Sequence, residues 1–210
     1  MRVTWLLMGA LVVAACQDDV TTPFPPGLEP LEDNTVPDTD DRSEVLRTRS
    51  VSGGFVRVHG RGYVHAPPAE VWAASRMPDA MVARCSTDKR EITLDTEPEY
   101  EFSFLVHYTR HEIVTVEWDD QWRYGIVEGT ADEPVIGMIR HQKVQGSDFI
   151  ELSAGSVQVL ATDDPGLSEL AFVEHLDAIA GSAGDVIAGM QANYDALVAL
   201  AHGQPIPPCP

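Results

Sequence analysis

Alternating apolar and polar positions run through the middle of the chain and predict a series of β-strands. Residues 55–64 and 100–108 place apolar or aromatic side chains at every second position, as a half-buried strand does. The stretches 112–118 and 121–129 alternate in the same way on either side of the polar pair Asp119-Asp120, which predicts a hairpin there. Further strands are predicted near residues 135–144, 148–160 and 168–177.

Helical spacing appears at two places. Residues 66–75 begin with prolines that suit a first helical turn, and Pro78 ends this helix and starts a second short piece that reaches about Ala83. A longer helix is predicted from Ser182 to Gly203, because Ser182 with Asp185 resembles a capping box and Gly203 suits the position after a helix end. The apolar stripe of this helix consists of Val186, Met190, Tyr194, Leu197 and Ala201.

The order of these elements predicts an α+β fold. A first strand is followed by two short helices, then by a run of strands, and finally by the long helix. Such an order buries its apolar faces when a curved antiparallel sheet of about six to seven strands packs against one long C-terminal helix.

The start of the chain has the layout of a secretory signal. Arg2 precedes a short apolar stretch that ends in small residues, and that stretch is too short to span a bilayer of ordinary thickness. An uncleaved anchor or a buried helix remains the alternative. The sequence Val13-Ala14-Ala15-Cys16 resembles the bacterial lipobox, which implies removal of residues 1–15 and acylation of Cys16. The residue after this cysteine, Gln17, favours the outer membrane of the cell envelope over the inner one.

Residues 16–48 differ in composition from the rest of the chain. They are acidic and rich in proline, and they show no apolar periodicity. Such a segment buries too little apolar surface to offset its chain entropy, which predicts a disordered or extended tether before a domain at residues 49–203 and a short tail at 204–210.

The net charge of −19 excludes one class of function. Nucleic-acid binding relies on clustered Lys and Arg that neutralise phosphates, and this chain has no such cluster. The same charge argues against an anionic membrane face beyond the lipid itself.

Three cysteines are present. If Cys16 carries lipid, Cys85 and Cys209 remain, and an exported chain can pair them in a disulfide. The alternative is two unrelated thiols, one buried and one on a loose tail.

Three stretches resemble the START-like superfamily, whose members share the helix-grip fold. Residues 64–72, VHAPPAEVW, look like its opening strand and first helix; residues 140–159 look like its paired late strands, and residues 169–203 like its final strand and long helix. The resemblance implies a cavity between sheet and helix that holds an apolar small molecule. The cavity candidates are Phe102, Phe104, Trp118, Trp122, Tyr124, Phe172, Glu174, Met190 and Tyr194, although each aromatic residue can equally fill a core.

Candidate chemistry is sparse. His107, His111, Glu112, Glu174 and His175 are the titratable residues considered for acid–base roles, and Glu174 shares the parity of Phe172 and so is expected to point inward. No metal or cofactor is expected, because no ligand spacing or nucleotide fingerprint is present.

Three functions remain open on this basis. The first is a lipid-anchored, non-catalytic module that binds a hydrophobic small molecule. The second is a cyclase- or hydrolase-like acid–base enzyme that uses the same cavity, and the third is a domain with a filled core that acts through protein contacts.

Overall fold

The protein forms one antiparallel sheet that curves around a long C-terminal helix. The structure is a computed structural model, and it describes residues 19–111 and 113–209. The strands are β1 (Arg47–Val51), β2 (Val56–Val64), β3 (Lys89–Leu94), β4 (Phe102–His111), β5 (Thr115–Gly129), β6 (Pro134–Gly146), β7 (Ile150–Ala161) and β8 (Ser168–Ala178). They pair in the order β1-β2-β8-β7-β6-β5-β4-β3. The predicted α+β helix-grip architecture is confirmed, with eight strands in place of six to seven.

Three helices complete the fold. They are α1 (Pro68–Ser75), α2 (Pro78–Met81) and α3 (Ala183–Ala201). The predicted capping box at the start of α3 is present, since the Ser182 hydroxyl accepts from the Asp185 backbone N–H and the Asp185 carboxylate accepts from the Ser182 N–H. Gly203 follows the helix with φ of 68°, a backbone conformation that favours glycine. The inner face of the sheet together with α3 is called the grip below.

Two strands were not predicted, and one predicted hairpin is wrong. β1 and β3 are short, charged strands at the two edges of the sheet. The pair Asp119-Asp120 does not break the chain, because β5 runs through it as one strand with a register shift at that point. The hairpin turn lies instead between β4 and β5, and Asp120 is consequently buried inside the sheet.

The predicted tether is extended, but it is not a free spacer. Most of residues 19–46 follow the outer face of the sheet, where Val36 is buried and Leu28 packs over Gly125, and Leu46 at the end of this segment joins the core. The Arg123 guanidinium lies 3.7 Å from the centre of the Phe24 ring and donates to the Pro25 carbonyl. Composition alone predicts a disordered or extended tether. It does not reveal this packing, because the residues that hold the segment lie far away in sequence.

Glu32 fixes the middle of this segment to the sheet. Its carboxylate accepts from the Arg57 guanidinium, from His59 Nε2 at 2.7 Å and from His175 Nε2 at 3.1 Å. His59 Nδ1 accepts a hydrogen bond from the backbone N–H of Thr35 at 2.9 Å. The other ring nitrogen, Nε2, therefore carries a hydrogen and donates the hydrogen bond to Glu32. Burial raises the pKa of Glu32, but the hydrogen bonds from Arg57, His59 and His175 outweigh it and lower the pKa to about 2.

Within the described residues, no helix combines the length and the apolar character needed to cross a membrane.

Candidate functional site

The predicted cavity residues lie inside the grip, where they fill space. Phe104, Tyr124 and Phe172 are almost fully buried, and so are Met190 and Tyr194 on α3. The rings of Phe104 and Trp122 are stacked with their centroids 5.5 Å apart, and those of Tyr108 and Trp118 are stacked with their centroids 4.9 Å apart. The aromatic candidates therefore form a packed core, with Phe102 half-buried at one end of it.

Two glycines explain why α3 approaches the sheet so closely. A Cβ atom at Gly60 would lie 2.3 Å from Met190 Sδ, and one at Gly62 would lie 2.6 Å from the Tyr194 ring. The Tyr194 hydroxyl also donates to the Tyr63 carbonyl at 2.5 Å. Because the sheet carries no side chain at these two positions, Met190 and Tyr194 occupy the space that was predicted to be a cavity.

Two pockets formed by the described residues lie at the surface. One, of about 390 Å³, lies between α1 and α3 and is lined mainly by Ala73, Met77 and Leu200. The other, of about 260 Å³, is polar and lies beside Cys85, Asp88 and His111. Neither of them lies between α3 and the sheet.

The grip also contains a buried acid–base cluster. Glu174 points inward as predicted, and both of its carboxylate oxygens lie 3.1 Å from His141 Nε2. Gly155 makes room for this pair, since a Cβ there would lie 2.0 Å from His141 Nε2. Asp120 belongs to the same inner face, where it pairs in register with Lys143 of β6.

Burial and mutual charge set the protonation of this cluster. Burial and, to a smaller extent, the negative charge of Glu174 raise the pKa of Asp120, while His141, Trp118 and Lys143 lower it, and the net result is a pKa of about 7. Burial lowers the pKa of His141, but the charge of Glu174, its hydrogen bond to His141 and the charge of Asp120 together outweigh burial and raise the pKa above the ordinary value. Among residues 19–111 and 113–209, His141 Nδ1 and Asp120 Oδ1 are buried and have no hydrogen-bond partner.

Lys143 is also buried, and backbone carbonyls hold it in place. Its Nζ donates to the carbonyls of Ser147 at 2.7 Å and Ile150 at 2.5 Å. Burial lowers the pKa of this amine. The positive charge of Lys143 interacts with the negative charge of Asp120.

Apolar side chains surround the cluster where the grip opens. At that end of the sheet the half-buried residues packed against the core, called the mouth below, are Val56, Val116, Ile150, Ala183, Val186 and Ile187. Glu174 lies two residues before Leu176, the register partner of Val56, and its side chain keeps 22% exposure. The Glu174 carboxylate held by His141 is thus partly exposed near the end of the sheet that carries these apolar residues, which suits an apolar ligand with one hydrogen-bond donor.

The sequence contains a signal for Asp120, whereas the position of His141 follows from strand pairing. Asp120 shares the alternation of Trp118 and Trp122, so its parity pointed inward. His141 pairs with Trp122 in the register and stacks on its ring at 4.2 Å.

The other titratable candidates lie outside the grip. His107 Nδ1 pairs with Asp119 at 2.7 Å on an exposed part of the sheet, and His111 contacts Thr115 at the surface. His175 faces the outer side and holds Glu32, while Glu112 lies outside the described residues. Across residues 19–111 and 113–209, no group of three or more His, Cys, Asp or Glu side chains is arranged to hold a metal ion.

The predicted disulfide between Cys85 and Cys209 is present, with the two Cα atoms 5.4 Å apart. It fixes the tail after α3, and Arg84 supports it by donating to the carbonyls of Ala192 and Pro207. The predicted acylation site Cys16 lies outside the described residues.

Comparisons with known proteins support the fold and no more. No model of a protein family matches the sequence, and no curated protein matches it. The human StarD13 lipid transfer and protein localization domain has a similar structure, with a TM-score of 0.50 and 10% identity over 89% of this chain and 88% of that one. The Zhui aromatase/cyclase from Streptomyces sp. R1128 aligns with a TM-score of 0.42 and 14% identity over 75% and 93% of the two chains. The structure of Ara h 8.0201 aligns with a TM-score of 0.46 and 13% identity over 76% and 100%. The likeness to the StarD13 domain agrees with the helix-grip architecture that the strand order and α3 already define.

Proposed function

We propose that the mature protein is a lipid-anchored module of the cell envelope that binds a small, mainly apolar molecule at the mouth of the grip without transforming it. Acylation of Cys16 supplies the anchor, and Gln17 favours the outer membrane. One acyl chain gives marginal membrane binding, whereas two or more anchor stably.

One observation carries the binding proposal. The Glu174 carboxylate keeps 22% exposure near the apolar residues of the mouth, while His141 behind it is buried and paired with it. Within the described part of the chain, His141 is the hydrogen-bond partner of this half-buried carboxylate, so acceptor capacity is left that a ligand hydroxyl or amine can use. The packed interior limits the ligand to the mouth, since Met190 and Tyr194 already fill the space further in.

The experiment compares two ligands with the same apolar body. A long-chain alcohol and its methyl ether are titrated by calorimetry into the soluble Cys16→Ser protein. The alcohol should bind saturably and about tenfold more tightly, because only its hydroxyl donates a hydrogen bond worth about 1–1.5 kcal/mol. Glu174→Gln should reduce the ratio of the two affinities, alcohol over ether. The matched control is Glu128→Gln, which changes an exposed residue at the opposite end of β5 and should leave this ratio unchanged.

The outcomes separate the three functions. Saturable binding with a preference that depends on Glu174 supports the proposal. If neither ligand saturates, the proposal fails and the filled-core domain that acts through protein contacts takes its place.

A second candidate, the acid–base enzyme, is favoured by the pKa of about 7 at Asp120, which suits proton exchange near neutral pH. This function needs a substrate in contact with Asp120, which is 5% exposed. Replacement of Asp120 by Asn tests it. Conversion of a bound ligand by the parent that is lost in Asp120→Asn while binding is kept supports catalysis, and recovery of the ligand unchanged from the parent supports binding alone.

A further inference from the structure

The N-terminal segment meets the sheet at one defined end. Asp19 forms a β-bridge with Ser147, and the backbone N–H groups of Val20 and Thr22 donate to the carbonyls of Gly146 and Val144 at 2.9 and 2.8 Å. The segment therefore begins beside the β6–β7 turn and then runs away along the outer face.

Chain length places the proposed acylation site near this turn. Cys16 precedes Asp19 by three residues. A chain spans at most about 3.3–3.6 Å per residue, so Cys16 lies within roughly 11 Å of Asp19. An acyl group on Cys16 would consequently hold the β6–β7 turn close to the bilayer. The rest of the predicted tether does not increase the distance between the domain and the bilayer, because it is packed on the sheet.

The mouth and two exposed apolar segments, called the tips below, lie at the same end of the sheet as the β6–β7 turn. One tip is Ile113 with Val114, and the other is Ile179. Ser147 donates its backbone N–H to the Glu117 carbonyl near the start of β5, and Ile179 donates to the Phe149 carbonyl. Ile113 before β5 is fully exposed, Val114 is 38% exposed, and Ile179 before α3 is 78% exposed. Single exposed apolar residues are ordinary, but these border the mouth on two sides and adjoin the point where the anchor leaves.

The charges around the tips indicate the kind of bilayer surface. Glu117, Glu151 and Asp185 are exposed at this end, and the basic residues Lys89 and Arg110, also exposed there, lie close enough to Glu117 and Asp185 to offset part of this charge. Acidic side chains are repelled by anionic headgroups, so attraction to the surface must come from apolar contact rather than from charge. A zwitterionic surface fits this pattern.

We infer that the acylated protein docks with its mouth against a zwitterionic bilayer and inserts Ile113, Val114 and Ile179 among the headgroups. This orientation rests on the proposed acylation of Cys16. It allows an apolar ligand to pass between the bilayer and the mouth without crossing water.

Tryptophan fluorescence in vesicles tests this orientation. Acylated Ile113→Trp is reconstituted in phosphatidylcholine vesicles with or without bromine on the acyl chains. The matched control is Val127→Trp, since Val127 is 56% exposed and lies at the opposite end of β5. The added emission of Ile113→Trp should shift to the blue and be quenched by the brominated lipid, whereas that of Val127→Trp should be unaffected. Equal behaviour of the two variants overturns the docking orientation.

Two further measurements keep the failures apart. The mass of the N-terminal peptide establishes whether Cys16 is acylated, and an unmodified Cys16 refutes the proposed anchor rather than the orientation. An acylated, vesicle-bound protein without quenching at Ile113→Trp refutes the orientation alone. Stronger quenching after addition of phosphatidylglycerol contradicts the assignment of a zwitterionic surface.

Discussion

Replacement of Glu32 by Gln tests whether the N-terminal segment is part of the folded domain. Glu32→Gln keeps the shape of the side chain but removes the charge that Arg57, His59 and His175 surround. One of the two oxygens becomes an amide N–H₂ group that faces hydrogen-bond donors, so the charge and the hydrogen bonds to that oxygen are lost, while the other oxygen still accepts.

The expected loss follows from the pKa of Glu32. The fall from the ordinary 4.5 to about 2 corresponds to roughly 3 kcal/mol. The side chain keeps 24% exposure, and solvent screening reduces the expected loss to about 1–2 kcal/mol. Because the folded pKa is depressed, this stabilisation is complete above about pH 4.5 and disappears as the pH falls toward 2.

Urea unfolding of the soluble Cys16→Ser protein measures this loss. At pH 7, Glu32→Gln should lower the free energy of unfolding by about 1–2 kcal/mol, and the difference from the parent should shrink as the pH falls below 4.5. The control is Glu29→Gln, which changes an exposed carboxylate on the same segment and should have little effect. Equal stability of Glu32→Gln and the parent at pH 7 would refute the packed position of the segment.

Three other changes test the disulfide, the approach of α3 to the sheet and the buried acid–base cluster. Cys209→Ser should lower stability by up to about 4–5 kcal/mol on the chain-entropy account, and thiol titration of the unfolded, unreduced mature protein should detect no free thiol. Gly62→Ala should cost about 1–3 kcal/mol in urea unfolding because its Cβ meets the Tyr194 ring at 2.6 Å, whereas Gly54→Ala, which meets nothing within 4 Å, should be neutral. Asp120→Asn should gain stability relative to the parent as the pH rises from about 4 to 7, because the raised pKa makes ionisation of Asp120 unfavourable in the folded state; a difference that does not vary with pH would contradict this.

Periodicity predicted the elements that bury one face. The strand at 55–64, the strands after residue 134 and the long helix carry a regular apolar pattern, and the structure places them within a few residues of the predicted bounds. β1 and β3 carry no such pattern, because RTRSV and KREITL are held mainly by edge pairing with β2 and β4. Pairing partners of this kind are tertiary information that a local pattern does not contain.

The candidate site was predicted in part for a related reason. The inward position of Glu174 follows from strand parity, but its partner His141 comes from another strand and Asp120 from a third. The predicted cavity overlooked Gly60 and Gly62, whose inward parity on β2 indicated a close approach of the helix. The outward residues of β2, Arg57 and His59, likewise offered a basic surface to the acidic segment that composition alone assigned to a tether.

Hydrogen exchange at the N-terminal segment tests the central claim most directly. The account places residues 19–46 on the sheet, and through them the proposed anchor beside the mouth. The backbone N–H groups of Val20, Thr22 and Thr35 donate to Gly146, Val144 and His59, so in the soluble Cys16→Ser protein they should exchange far more slowly than in an unstructured peptide. Exchange of all three at the rate of an unstructured peptide would show a free tether and contradict the account.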